Sequence, residues 1–168
     1  MRLEKGQYAL QYRDGYTSLT DERQVDRTLG SPFGSFMISG SDLPVTLSFG
    51  EPRDLGDHVI TVMKTSIPVD RLTLLPNAGG RAGRLGLYIS LFDAGGRLVY
   101  FVHLVRDAVL AGTSPSRMFH ESTELYLSKG APYRVSVAVR DQNRESVGVA
   151  QQIVEFESTG RLYGNGQR

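Results

Sequence analysis

Apolar and polar residues alternate with period two over much of this chain, as expected where strands rest one face on a core. The cleanest run is Arg84-Leu-Gly-Leu-Tyr-Ile-Ser-Leu-Phe92, in which Leu85, Leu87, Ile89 and Leu91 share one face and Gly86, Tyr88, Ser90 and Phe92 the other. Asp93-Ala-Gly-Gly-Arg97 then supplies glycines able to take positive φ, and the chain returns as Leu98-Val-Tyr-Phe-Val-His-Leu104. That spacing predicts a β-hairpin. A second unit predicts three strands in succession, Ser122–Ser128, Tyr133–Arg140 and Glu145–Glu155, separated by Lys-Gly-Ala-Pro and Asp-Gln-Asn-Arg. In the middle strand Tyr133, Val135, Val137 and Val139 point one way and Arg134, Ser136, Ala138 and Arg140 the other, the pattern of one face on a core and one in water. The last strand changes phase, because Val147 and Val149 are at odd positions whereas Val154 and Phe156 are at even ones. A strand buried on one face holds both sets only with an extra residue, which predicts a β-bulge or bend near Gln151-Gln152.

Earlier in the chain Gln7–Arg13, Phe36–Ser39, Pro44–Phe49 and His58–Ile67 read as strands, with Tyr8, Leu10 and Tyr12 on one face of the first. A single helix is predicted near residues 20 to 29: Thr20 can cap it, Asp21 and Glu22 suit its positive end, Val25 and Leu29 are four apart, and Gly30 can stop it. Val69–Leu75, between two prolines, reads as a helical turn or a short strand, and Arg106–His120 as an irregular loop. No fixed-period repeat is present. The expected organisation is a lead-in over residues 1–6, one β-sandwich domain over 7–157 with about seven to nine strands, and a flexible tail over 158–168. Inward positions should include Leu85, Leu87, Ile89, Leu125, Leu127, Val135, Val137 and Val139.

Composition changes this picture mainly by exclusion. The 168 residues suffice for one core. Nineteen basic against eighteen acidic residues leave a net charge of +1, so no global field recommends nucleic acid as a partner. With no cysteine there is no disulfide scaffold, thiolate metal site or cysteine nucleophile. No stretch approaches the roughly 20 apolar residues of a membrane-spanning helix, and no signal peptide is read at Met1-Arg-Leu-Glu-Lys-Gly.

The candidate chemistry is sparse. Asn77-Ala-Gly-Gly-Arg-Ala-Gly-Arg-Leu-Gly86 has the glycines of a phosphate loop but leads into a strand rather than a helix, and lacks the lysine followed by Ser or Thr, so it reads as a loop feeding a strand. His58, His103 and His120 lie far apart, without metal-ligand spacing. Ser114 and Ser116 sit near His120 in sequence but in no nucleophile elbow. Asp54 with Asp57, and Asp141 with Asn143, are conceivable oxygen ligands for calcium, but turn chemistry explains the same residues. Arg81 and Arg84 form one small basic group, read as solvated. Tyr88, Tyr100, Phe92 and Phe101 are aromatics that an exposed sheet face could present to a carbohydrate or peptide, with Tyr88 and Tyr100 the foremost ligand-binding candidates; the bland alternative is a face covered by a loop or partner domain. No catalytic, cofactor-binding or metal residue is assigned, and no cofactor is expected.

The order Leu-x-Leu, glycine turn, Tyr133-Arg-Val-Ser-Val-Ala-Val, polar turn and final strand resembles the last three strands of immunoglobulin-like and fibronectin-like domains. The resemblance implies a role for Tyr133 in bonding the backbone of the preceding turn. More broadly, Tyr12-Arg-Asp-Gly-Tyr16, Asp26-Arg-Thr-Leu29, Phe49-Gly-Glu-Pro52, Ile67-Pro-Val-Asp-Arg-Leu-Thr-Leu-Leu-Pro76, Gly83-Arg-Leu-Gly-Leu-Tyr-Ile89 and Tyr133-Arg-Val-Ser-Val-Ala-Val-Arg-Asp141 resemble, in order, the C-terminal β-sandwich of bacterial secreted proteins that carry a von Willebrand factor type A-like domain. The Asp-x-Ser-x-Ser metal motif of that A-like domain is not in this sequence, so the resemblance brings no ligand or catalytic residue. It implies a non-catalytic structural or protein-interaction module that sits beside an A-like domain or another protein partner, extracytoplasmic in the parent protein. A carbohydrate-binding module and a hydrolase of unknown type are the alternatives.

Overall fold

The structure, a computed structural model, describes residues 42–78, 80–111, 117–144, 146–156 and 162–163. The Gln7–Arg13 and Phe36–Ser39 strands and the helix near residues 20 to 29 lie outside them. Ten strands are present among the described residues: β1 (Thr46–Phe49), β2 (Arg53–Asp54), β3 (His58–Pro68), β4 (Leu75–Asn77), β5 (Gly80–Phe92), β6 (Leu98–Ala111), β7 (Met118–Ser128), β8 (Tyr133–Asp141), β9 (Val147–Phe156) and β10 (Leu162–Tyr163). Of the two alternatives expected for Val69–Leu75, the helical turn is present as a 3-10 turn at Val69–Arg71, and β4 begins at its last residue, Leu75.

The strands form two antiparallel sheets. In sheet A, β3 is central, with β7 along one edge and β1 and β2 in succession along the other. In sheet B the order runs β6, β5, β8, β9, β10, with β4 continuing the β8 side of β5. The chain leaves sheet A after β3, builds β4 to β6 in sheet B, returns to sheet A as β7 beside β3, and crosses back for β8 and β9. The β3–β7 pair facing the β5–β8–β9 group is the immunoglobulin-type Greek-key arrangement, so the fold is an all-β sandwich. Its core joins Val59, Met63, Ile67, Leu125 and Leu127 of sheet A to Leu85, Leu87, Ile89, Leu91, Val135, Val137, Val139, Val154 and Phe156 of sheet B. All eight inward positions read from the sequence are buried there.

The predicted hairpin is β5–β6. Its turn is tied by Asp93, whose Oδ1 accepts from the Gly95 and Arg97 amides at 3.0 and 2.9 Å, with Gly96 at φ 76°. These bonds, the Arg97 amide foremost, hold the Asp93 carboxyl below its usual pKa. The resemblance of the C-terminal strands also holds at one atom: the Ser128 amide donates to the Tyr133 hydroxyl across the β7–β8 turn at 3.3 Å.

Three expectations are corrected. First, Arg106–His120 is not loop throughout: β6 continues to Ala111 and β7 begins at Met118. The inward alternation of Leu104 persists through Ala108, which is buried, and Leu110, which packs on the core. Arg106 Nε donates to Glu121 Oε1 at 2.8 Å and links the two strands. Second, no bulge interrupts β8–β9 at Gln151-Gln152, since the register is continuous from Tyr133↔Val154 to Arg140↔Val147. Val154 and Phe156 enter the core, while Val147 and Val149 pack on the opposite face with Tyr88, Ala138 and Phe101. Third, β8 is not wet on its even face, for Ser136, Ala138 and Arg140 are as buried as Val135, Val137 and Val139. Both corrections to β8 and β9 have one cause: along the middle of β5 and β8 sheet B is buried on both faces, so either phase of a strand there finds apolar surroundings. Leu162 and Tyr163, in the stretch expected as a tail, pair with Phe156 and Glu155.

Candidate functional site

On β5 and β6 the register pairs Tyr88 with His103 and Leu91 with Tyr100. Residues directly opposite each other share a face, and positions 88 and 91 differ in parity, so Tyr88 and Tyr100 lie on opposite faces of sheet B. They form no common platform. Tyr88 is only 4% exposed and stacks on His103, with ring centroids 4.2 Å apart and planes 5° apart. Phe92 is buried and Phe101 partly so. Tyr100, at 40% exposure, lies on the core-facing side of β6, which pairs only with β5 among the described residues.

There Tyr100 borders a cleft of about 270 Å³ between the start of β6 and the end of β7, lined also by His58, Leu91, Glu124, Tyr126 and Tyr133. Tyr126 is 61% exposed and stacks on His58 at 4.8 Å. These neighbours follow from topology: β3 begins where β7 ends, at His58↔Ser128, and β8 begins just after the turn. No local pattern joins Tyr126 or His58 to Tyr100. The available signal was a lone aromatic among the polar positions Glu124, Tyr126 and Ser128 of a half-wet strand.

At the opposite end of the sandwich a wider cavity of about 550 Å³ has apolar walls from Val69, Leu72, Leu74, Leu110 and Met118, with Arg81 and Arg117 beside them. The Arg81 guanidinium is engaged, donating to the Leu74 carbonyl at 3.0 and 3.3 Å. Arg84, three residues on along the same strand, is on the other face, so the basic pair seen in sequence is divided. The glycine-rich run is itself β5 from Gly80, and at Gly83 a Cβ would approach the Thr73 carbonyl oxygen to 2.9 Å and a Leu74 methyl to 2.8 Å.

The carboxylates serve turns. Asp141 is fully buried: its Oδ2 accepts from the Thr73 amide at 2.6 Å and its Oδ1 from the Asn143 amide at 2.9 Å, while Asn143 Nδ2 donates to the Thr73 carbonyl. Asp54 accepts from Lys129 Nζ at 2.6 Å and from the Gly56 amide at 2.8 Å. The Lys129 bond first, then that amide, lower its pKa. Asp57 is exposed. Among the described residues no group of three or more His, Asp or Glu is placed to hold a metal ion. The histidines are dispersed, with His120 Nδ1 bonded to Ser66 Oγ at 2.8 Å. Ser114 and Ser116 lie outside the described residues. No helix among them is long and apolar enough to cross a membrane.

Among the described residues, β6 forms an edge of sheet B. β6 is fourteen residues long and, among the described residues, pairs only with β5. Val99, Tyr100, Val105 and Val109 are exposed on it, Val109 at 62%. Edge strands of soluble proteins are ordinarily blunted by lysine, proline or bulges. On β6 the only charged side chains are Arg106, tied to Glu121, and Asp107.

No family model matches this chain, and no curated protein matches it. Solved structures that resemble it in part include a Bacteroides uniformis beta-glucuronidase (14% identity, TM-score 0.46, covering 70% of this chain and 13% of the other). A glycosyl hydrolase family 2 member from Bacteroides cellulosilyticus gives 8% identity and TM-score 0.44, with 73% and 17% covered. A protein from Archaeoglobus fulgidus gives 10% and 0.36, with 75% and 99% covered. The chain thus spans about an eighth to a sixth of the two glycosidases.

Proposed function

We propose that this sandwich is a non-catalytic protein-interaction module, an accessory domain of a longer exported protein of the von Willebrand factor type A-like kind. The observation that carries the reading is the β6 edge: a long strand with exposed valines offers main-chain groups to an incoming strand and apolar side chains to fix its register. Two substitutions test it. Val105→Lys and Val109→Lys place charges of the sort that natural edges use against pairing. They should abolish binding to the A-like domain encoded beside this one while leaving the melting temperature nearly unchanged. Binding that survives both sinks the edge as the docking surface. The parentage has its own test in the neighbouring coding sequence, where an export signal and an Asp-x-Ser-x-Ser motif are expected.

One observation favours a second reading, carbohydrate binding, at the cleft beside Tyr100 rather than on the face that carries Tyr88. Exposed Tyr126 and Tyr100 border the same cleft as Glu124, and aromatic rings with a nearby carboxylate suit the apolar faces and hydroxyls of a sugar. A glycan array separates the two readings: glycan binding lost in Tyr126→Ala and kept in Val109→Lys supports the cleft.

A further inference from the structure

The side chains of β6 are complementary to the same strand turned end for end. Two copies of one antiparallel strand pair about a twofold axis perpendicular to the sheet, and because opposed residues share a face, the axis passes beside a residue that meets itself. The outer side of β6 carries Phe101, His103, Val105, Asp107 and Val109, opposite Ser90, Tyr88, Gly86, Arg84 and Ala82 of β5. From His103 to Val109 those side chains are exposed. An axis beside Val105 sets each Val105 against the other, each His103 against an Asp107 and each Phe101 against a Val109. On the core-facing side it sets Leu104 against Arg106, Val102 against Ala108 and Tyr100 against Leu110. No like charges meet, and each exposed carboxylate meets a ring whose N–H can donate to it. The neighbouring axes are worse. One beside Arg106 opposes two arginines, one beside Asp107 opposes two aspartates, and those beside His103, Leu104 and Ala108 set Asp107 against Val99, Phe101 and Val109.

We propose that β6 pairs with β6 of a second copy of this chain, antiparallel about Val105, so that two B sheets join into one. This rests on reading β6 as the docking edge and adds its regulation: a second copy and a partner strand need the same main-chain groups, so each excludes the other. Pairing gains little in hydrogen bonding at the axis itself. Arg106, held by Glu121 at 2.8 Å, also donates through Nη1 to the Val105 carbonyl at 3.2 Å, so there an arriving strand trades one bond for another. The gain lies in covering Phe101, Val105 and Val109 and in the paired His103 and Asp107. Self-pairing thereby shields the edge from indiscriminate strand addition and yields when a tighter partner takes its place.

Analytical sedimentation of the full chain tests this. The protein should pass from monomer to dimer as its concentration rises, and the dimer should dissolve when the neighbouring A-like domain is added. His103→Asp opposes two pairs of carboxylates and should weaken the dimer about tenfold. Adding Asp107→Lys to it restores an opposite-charge pair in both places and should recover the dimer. A local effect cannot give that rescue, because the two positions lie roughly 13 Å apart along one strand. The chain has no cysteine, so a thiol gives an independent readout. Val105→Cys should form a disulfide-linked dimer on mild oxidation, and Lys64→Cys, exposed on the outer face of sheet A, should not. A chain that stays monomeric, a double variant no tighter than His103→Asp, or cross-linking as fast at Lys64→Cys as at Val105→Cys overturns the self-pairing, whether or not the A-like domain binds. A dimer that the A-like domain leaves intact upholds the self-pairing and overturns instead the docking of that domain on β6.

Discussion

Sheets A and B each turn one face away from the shared core, and the two outer faces differ in kind. On sheet A, Val62, Lys64, Ser122, Glu124 and Tyr126 are exposed, as expected where a strand alternates between oil and water. On sheet B, Tyr88, Ser90, Phe92, Ser136, Ala138 and Arg140 are buried as deeply as the core itself. The row Arg134, Ser136, Ala138, Arg140 looks hydrophilic, yet from Ser136 to Arg140 it is at most 4% exposed. Polar residue types on one face of a strand thus do not by themselves mark that face as wet.

Adjacent residues separate the two outer faces most directly, because neighbours on a strand point to opposite faces. On β8 both Val137→Asp and Ala138→Asp should abolish cooperative unfolding in urea, since each buries a carboxylate at a cost of several kcal/mol against a total of about 5–15. On β3 the same pair should separate: Met63→Asp unfolds the domain, whereas Lys64→Asp, exposed, changes stability by less than about 1 kcal/mol. If Ala138→Asp behaves like Lys64→Asp, sheet B is one-sided after all.

The next effect concerns the seam where the chain enters. At Gly148 on β9 a Cβ would collide with the Leu43 carbonyl oxygen and approach Val45 Cγ2 to 2.6 Å. Gly148→Ala should cost about 1–3 kcal/mol by overpacking, measured as a lowered urea midpoint. Gly130→Ala makes a useful contrast, since the space around it is open and the strain there comes from φ 70° rather than from neighbours. An unchanged midpoint in Gly148→Ala would mean that the Asp42–Val45 segment is only loosely held against β9.

Much of the core was legible because it is a matter of parity. Leu85 to Leu91 and Val135 to Val139 identify their shared faces by spacing alone, and Tyr133 identifies a corner because its position relative to the turn is a motif. Spacing does not reveal how many faces of a sheet are covered. That is why Val147 and Val149 suggested a bulge where the register is continuous, and why Tyr88 and Tyr100 were grouped although three positions on a strand separate their faces. The β6 strand was cut short for a different reason: Arg106 and Asp107 interrupt an apolar run, and only the cross-strand partner Glu121, fifteen residues away, shows that Arg106 belongs to a strand. Tyr126, His58 and Tyr100 come from β7, β3 and β6, so their proximity depends on topology rather than on any local signal.

A smaller effect is expected at Tyr133. Its hydroxyl accepts from the Ser128 amide at the crossing from sheet A to sheet B. Tyr133→Phe removes one hydrogen bond and should cost about 1 kcal/mol, lowering the melting temperature by a few degrees. An unchanged melting temperature would leave the ring packing, rather than the hydroxyl, as the element that fixes the corner.

The smallest expected effect lies on the wet side, at the Asp54–Lys129 pair that links β2 to the β7–β8 turn. Asp54 is exposed, and its carboxyl is held below the usual range chiefly by the Lys129 bond and then by the Gly56 amide. A carboxyl whose folded pKa is depressed binds fewer protons in the folded state than in the unfolded one. Its contribution is therefore complete above the unfolded pKa, near 4, and is lost as pH falls through the lower folded value. Asp54→Asn should lower the urea midpoint slightly at neutral pH and make no difference once the pH lies below both values. Because the pair is in water, added salt should shrink even the neutral-pH difference. Should Asp54→Asn instead cost as much at low pH as at neutral pH, the carboxylate charge is not what holds this corner. Should the loss at neutral pH rival that of Gly148→Ala, the contrast between a wet sheet A face and a buried sheet B face would have been drawn too sharply.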